Sequence, residues 1–187
     1  TRPGTYVLQL EADPEGNEDP TSFDRVTVAV APNDPPIGVP IDTLANGQIS
    51  IAGKSYGGAT GDAANYVVLE RATRAVVESG QVADDSGGLN RLNDLANTYG
   101  NGGNCMRYMM IVSGSGGVVD AQLGSFAALL KKLGAALPSP EAFLALKSKQ
   151  AYSVIGIPGA TAGAATTRFP TSSDASGAIA GYLQPNQ

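Results

Sequence analysis

Asp84 and Asp85 are adjacent carboxylates between a predicted strand and a predicted helix, a placement that could hold calcium or a sugar hydroxyl. Acids at a helix start are also ordinary caps, because they accept from the first backbone N–H groups and complement the helix dipole. No EF-hand spacing surrounds them. Arg71 and Arg74 flank a predicted hairpin turn, Arg107 lies in an apolar run, and Arg168 follows a glycine-rich loop. An arginine in an apolar strand must face solvent or find a carboxylate such as Glu70 or Asp120. Both roles, ion pair and ligand contact, stay open for these residues.

The junction "SGSGGVVD" at 113–120 joins a predicted strand to a predicted helix, which suits close approach of a phosphate. Yet Val119 stands where the last glycine of G-x-G-x-x-G belongs, and no Lys-Ser/Thr pair follows. A tight connection is the expectation. The chain contains no histidine, so the commonest general base and metal ligand is missing. Ser125 and Ser153 stand in no G-x-S-x-G elbow, and no ordinary triad can be assembled. Cys105 is the one cysteine, which excludes an internal disulfide and a cysteine-based zinc site. It reads as a small apolar residue entering a strand, since "CMRYMMIV" looks buried. An acid-pair hydrolase remains open, but nothing singles out a pair of carboxylates.

The 187 residues suit one domain, or one domain and a fragment. Hydrophobic residues make up 42%, enough for a core. A net charge of −5 with no cluster of Lys and Arg argues against nucleic acid. No apolar run approaches the length of a membrane-spanning helix. The chain opens in strand-like sequence, "TRPGTYVLQL", without a signal-peptide pattern, as expected of a piece of a longer protein.

"GTYVLQLEA" and "DRVTVAVAP" alternate apolar residues and predict two half-buried strands around the acidic loop "DPEGNEDPTS". Residues 1–32 form this fragment, the proline-rich stretch 33–40 is a stiff linker, and 41–187 form the main domain. There "QISIAGKSYGG" predicts a strand, and "NYVVLERATRAVVESGQVA" a hairpin turning near Ala72–Thr73. "DDSGGLNRLNDLANTYG" predicts a helix ended by Gly100. "CMRYMMIVS" predicts a strand, and "DAQLGSFAALLKKLG" a helix capped by Asp120 and ended by Gly134. "SPEAFLALKSK" predicts a helix with Ser139 as N-cap and Pro140 in its first turn. "AYSVIGIPG" is a strand over 151–157, and "AIAGYLQ" a last one. The expected class is mixed α/β (α+β): a compact β-sandwich-like domain with about three packed helices, after a two-stranded fragment.

"NYVVLERATRAVVESGQVAD", "GLNRLNDLANTY", "RYMMIVSGSGG", "FAALLKKLGA" and "AYSVIGIPGATAG", in that order, resemble the interleukin-like EMT inducer family (ILEI, PANDER-like or GG domains) over about residues 48–183. The pattern "PGTYVLQLEA…DRVTVAVAPND" resembles the last two strands of an immunoglobulin-like bacterial surface domain of the cadherin or PKD kind. The first resemblance implies a compact β-β-α sandwich without established catalysis. It also implies that Tyr152, Val154, Gly156 and Gly159 complete the sheet, the glycines serving a turn and close packing. Some members are secreted signals, and one related domain, in the stem of a glycosyltransferase, binds carbohydrate. This chain departs from the family in having Arg74 for the hairpin glycine, Tyr152 for a tryptophan, Pro158 for a basic residue, and no disulfide.

Three functions follow as expectations. The first is a non-catalytic extracellular structural or adhesive module that contacts neighbouring protein domains, for which an exposed apolar patch would be the sign. The second is a carbohydrate-binding module. It would use a shallow polar groove with one exposed tyrosine (Tyr66, Tyr99 or Tyr108), and its candidate contacts are Asp84, Asp85, Arg71, Arg107 and Tyr108. The third is an Asp/Glu hydrolase. No cofactor, no metal and no nucleic-acid partner are expected.

Overall fold

The computed structural model describes residues 4–11, 23–30, 39–43, 47–58, 63–116, 118, 120–147, 151–170 and 179–183. The chain divides into two units, Thr1–Ile37 and Gly38–Gln187. In the first, β1 (Gly4–Glu11) and β2 (Phe23–Val30) pair antiparallel from Gly4 opposite Val30 to Glu11 opposite Phe23. The acidic loop expected between them lies outside the described residues.

The second unit contains nine strands and three helices among its described residues. β3 (Val39–Thr43), β4 (Ile49–Ile51), β5 (Lys54–Tyr56) and β11 (Ile179–Leu183) form an antiparallel sheet in the order β11-β3-β4-β5. β6 (Ala63–Glu70), β7 (Val76–Ala83), β8 (Tyr108–Gly114), β9 (Tyr152–Gly156) and β10 (Thr166–Arg168) form a second, in the order β10-β9-β8-β6-β7. The helices are α1 (Ser86–Gly100), α2 (Leu123–Lys132) and α3 (Pro140–Lys147). Mixed α/β content with two sheets and three helices agrees with the expected class.

Strand periodicity explains the layering. Side chains alternate between the faces of a sheet, and β6, β8 and β9 are buried along almost their whole length. Ala64, Tyr66, Val68, Met110, Val112, Tyr152 and Val154 point to the helices, where they meet Leu89, Leu92 and Leu95 of α1, Phe126, Leu129 and Leu130 of α2, and Leu146 of α3. The intervening residues Val67, Leu69, Met109, Ile111 and Ile155 point the other way and pack on Ile49 and Ile51 of β4. The five-stranded sheet is therefore the middle layer. Each fully buried Leu, Ile or Phe in these two cores contributes roughly 1.5–3 kcal/mol. The opposite face also carries a polar row in register, in which Asn65 pairs with Ser113 and Ser113 with Ser153. Ser113 and Ser153 share a 3.1 Å hydrogen bond, and Asn65 Nδ2 donates to the carbonyl of Gly47 at 2.9 Å. Ser153 thus serves the inter-sheet core.

Local chemistry sets the ends. Asp85 caps α1, its Oδ1 accepting from Gly88 N at 2.8 Å. Ser139 caps α3 through Ala142 N at 3.2 Å. Gly134, at φ 73°, closes α2: its N–H reaches the carbonyl of Lys131 at 3.2 Å, and Ala135 N reaches that of Leu130 at 2.8 Å. This is the Schellman arrangement, which favours glycine. Asp120 is not the α2 cap. A 3-10 turn over Asp120–Gln122 precedes the helix, Gln122 holds the cap position, and Asp120 pairs with Lys147.

Three further expectations change. "QISIAGKSYGG" is two strands, because Ala52 (φ 51°) and Gly53 (φ 78°) make a two-residue hairpin turn. β3 takes in Val39 and Pro40 from the proline-rich stretch, and Pro40 is tolerated because β3 pairs with β4 only from Ile41 onwards. Cys105 does not enter the strand. Met106 adopts φ 58°, which ends extended geometry there, so β8 starts at Tyr108 and Cys105 is exposed in the preceding turn.

The closing strand passes close to the end of α2. A Cβ at Gly156 would lie 2.4 Å from the carbonyl oxygen of Leu133, which accepts from Ile157 N at 3.1 Å. Gly156→Ala is expected to destabilise the chain by about 1–3 kcal/mol, the usual scale for overpacking. Gly124→Ala, in a helical position with nothing within 4 Å of the added carbon, should stabilise it by about 0.5–1 kcal/mol. Denaturant midpoints of the two variants check both signs.

Candidate functional site

The sequence-selected residues divide between opposite ends of β7, an eight-residue strand about 25 Å long. At its end, Asp84 and Asp85 lie beside the start of α1. Asp85 is occupied as the cap. Asp84 Oδ2 accepts from Gly116 N at 3.0 Å, and its backbone carbonyl accepts from Gln122 Nε2 at 2.9 Å. Asp84 therefore ties the glycine-rich junction to the start of α1. The first glycine of that junction, Gly114, is paired with Tyr152, and a Cβ there would lie 2.3 Å from the tyrosine ring. Its lack of a side chain makes room for an aromatic that is fully buried and meets Phe126 edge-on at 4.9 Å. Burial, and then the negative charge of Asp84, push the Tyr152 phenol well above its ordinary range.

At the other end, the turn between β6 and β7 meets the turn before β8. Arg71 N donates to the carbonyl of Arg107 at 3.0 Å, and Arg71 Nη1 to that of Met106 at 2.6 Å. Arg107 Nη2 and Nε donate to one oxygen of Glu70, at 2.7 and 3.1 Å. The other Glu70 oxygen accepts from Thr73 Oγ1 at 2.8 Å. These bonds, that from Arg107 foremost, hold the Glu70 carboxyl below its usual range. The Arg107 guanidinium stands 5.3 Å from the ring centre of Tyr108, and Tyr99 meets that ring edge-on at 4.8 Å. Arg71, Arg107 and Tyr108 are thus brought together, while Asp84 and Asp85 are not. Arg74, where the family resemblance leads one to expect glycine, adopts the left-handed backbone, at φ 62°.

Glu78 is a hub that nothing in the sequence marks. Its two oxygens accept from Tyr66 at 3.1 Å and Tyr99 at 2.8 Å, and Arg91 lies 3.6 Å away. Twenty-one residues separate Glu78 from Tyr99, so only the packing of α1 on the sheet reveals the contact. Of the three candidate tyrosines, Tyr66 is buried, and Tyr99 and Tyr108 are half-buried.

No protein-family model matches the chain, and neither does any curated protein. Among the described residues, no group of three or more His, Cys, Asp or Glu side chains could hold a metal ion. No helix among them is long and apolar enough to cross a membrane.

Burial and the hydrogen bond to Glu78 push the Tyr99 phenol up to about 12. A raised folded-state value favours the neutral phenol, so the stability it brings is complete below about pH 10 and fades as pH rises towards 12. Ultraviolet titration is expected to show one phenol of the native chain, absent from Tyr99→Phe, ionising near the top of that window.

Proposed function

We propose that the chain is a non-catalytic structural or adhesive module of a larger extracellular or cell-surface protein, working by contact with neighbouring protein domains. The observation that carries this reading is an exposed apolar groove of about 440 Å³ along α2, lined by Ala127, Ala128, Ala136, Leu137 and Ala162. Leu137 is 60% exposed there. One exposed leucine set among alanines makes a surface that gains from being covered by protein. The aliphatic stem of Lys131 edges the groove and keeps its charge in water.

The resemblance to the interleukin-like EMT inducer family, and that of the first unit to an immunoglobulin-like surface domain, fit a modular extracellular protein of this kind. A carbohydrate-binding role at Arg71, Arg107 and Tyr108 is the second reading, supported by their convergence on one surface. It is the weaker one, because Tyr108 is half-buried with Arg107 and Tyr99 against its ring, whereas sugars stack on open aromatic faces. The acids at Asp84 and Asp85 are engaged by backbone N–H groups, which gives a hydrolase mechanism little to work with.

Hydrogen exchange of this chain alone and within a longer protein that retains its flanking domains tests the reading. Residues 127–137 should become protected in the longer protein, and Leu137→Asp should abolish that protection without lowering the thermal midpoint of the isolated chain. Unchanged exchange at 127–137, with a saturable glycan hit lost on Arg107→Ala, would replace the structural role by the lectin-like one.

A further inference from the structure

The chain's charge is unevenly shared. The unit Thr1–Ile37 holds seven acidic residues and two arginines, whereas Gly38–Gln187 holds ten of each sign. The whole net charge of −5 therefore resides in the first unit, with Glu11, Asp13, Glu15, Glu18 and Asp19 falling within nine residues. Against this, three of the seven arginines of the chain, Arg71, Arg74 and Arg107, meet at two adjoining turns of the second unit.

That patch has the composition of an interface centre. Arginine, tyrosine and methionine are enriched at such centres, and arginine forks match carboxylates. Met106 is 48% exposed beside Arg107. Two of the three non-glycine residues at positive φ among the described residues, Arg74 and Met106, lie here. Backbone strain of this kind concentrates at functional surfaces. The carboxylate already inside the patch, Glu70, has both oxygens taken by Arg107 and Thr73. Burial, and then the charge of Arg71, lower the Arg74 guanidinium from its ordinary range, which marks positive charge gathered at this surface.

We infer that the Arg71–Arg74–Arg107 patch is a docking surface for a carboxylate-rich peptide, and that a second copy of this chain supplies it through residues 11–19. The inference rests on the reading of the chain as a protein-contact module and names one partner for it. Patch and peptide lie on different units, so the contact is heterologous and links copies head to tail. An acidic segment is drawn to the patch by long-range attraction, which salt screens within about 10 Å at 0.1 M.

Sedimentation of the full chain over a range of concentration and salt is the test. The expected result is concentration-dependent self-association that weakens as salt rises. Arg71→Glu/Arg107→Glu and, separately, Asp13→Asn/Glu15→Gln/Glu18→Gln/Asp19→Asn should each weaken it at least tenfold. The second variant alters only the first unit, so its effect does not depend on the patch variant folding. An equimolar mixture of the two variants should recover a one-to-one dimer, because one retains the acids and the other the patch. A monomer at every concentration, or association unaffected by either variant, would overturn the proposal. So would binding of a uronate polysaccharide that the arginine variant loses while self-association persists, since the patch would then belong to a glycan. None of these outcomes alters exchange at residues 127–137, so the groove stands or falls separately.

Discussion

Burial of one sheet on both faces is the constraint from which the rest of this structure follows. β6, β8 and β9 carry apolar residues at consecutive positions, so neither face can be left to water. One face is covered by the helices through Phe126, Leu129 and Leu130, the other by Ile49 and Ile51 of a short second sheet. Antiparallel sheets commonly leave one face wet; the three central strands of this one do not, whereas the edge strand β7 keeps the usual alternation. With the middle layer buried in this way, polar groups inside it must be paired, which accounts for the hydrogen bond between Ser113 and Ser153 and for that of Asn65 to a backbone carbonyl.

The same constraint explains the glycines. Gly114 makes space for the ring of Tyr152, and Gly156 lets β9 pass against the end of α2 at Leu133. Residues that tempt a chemical reading in the primary sequence are answers to packing at the junctions of the middle layer. Asp84, Asp85 and Ser153 belong to the same set: each is engaged by a neighbouring element. The surfaces proposed for function lie beyond the middle layer, in the groove along α2 and at the turns at the arginine end of the sheet.

Much of the fold was legible in the sequence because periodicity is local. Leu89, Leu92 and Leu95 announce α1, and Ser139 with Pro140 announces the start of α3. The turn between β6 and β7 falls where the hairpin was expected. What failed to show is what depends on backbone conformation or distant partners. Ala52 and Met106 enter the left-handed region without being glycine, which hid the β4–β5 hairpin and moved Cys105 to the surface. β10 is three residues of "TTR" whose only claim to be a strand is its pairing with β9. Asp120 looked like a cap by spacing, but an extra 3-10 turn shifted the helix start and left it for Lys147. Within the candidate site, arginines near a turn were visible in the sequence, whereas their meeting with the segment before β8 and the tyrosine–Glu78 hub required the three-dimensional pairing.

Native-state hydrogen exchange of the whole chain tests the central claim most directly, because it ranks elements by the free energy needed to expose them. If the doubly buried sheet is the organising layer, amides of β6, β8 and β9 exchange last, through global unfolding alone, while β4, β5 and β10 open earlier. Amides of α1 and α2 that outlast those of β6 and β8 would contradict the account and place the stabilising centre in the helices.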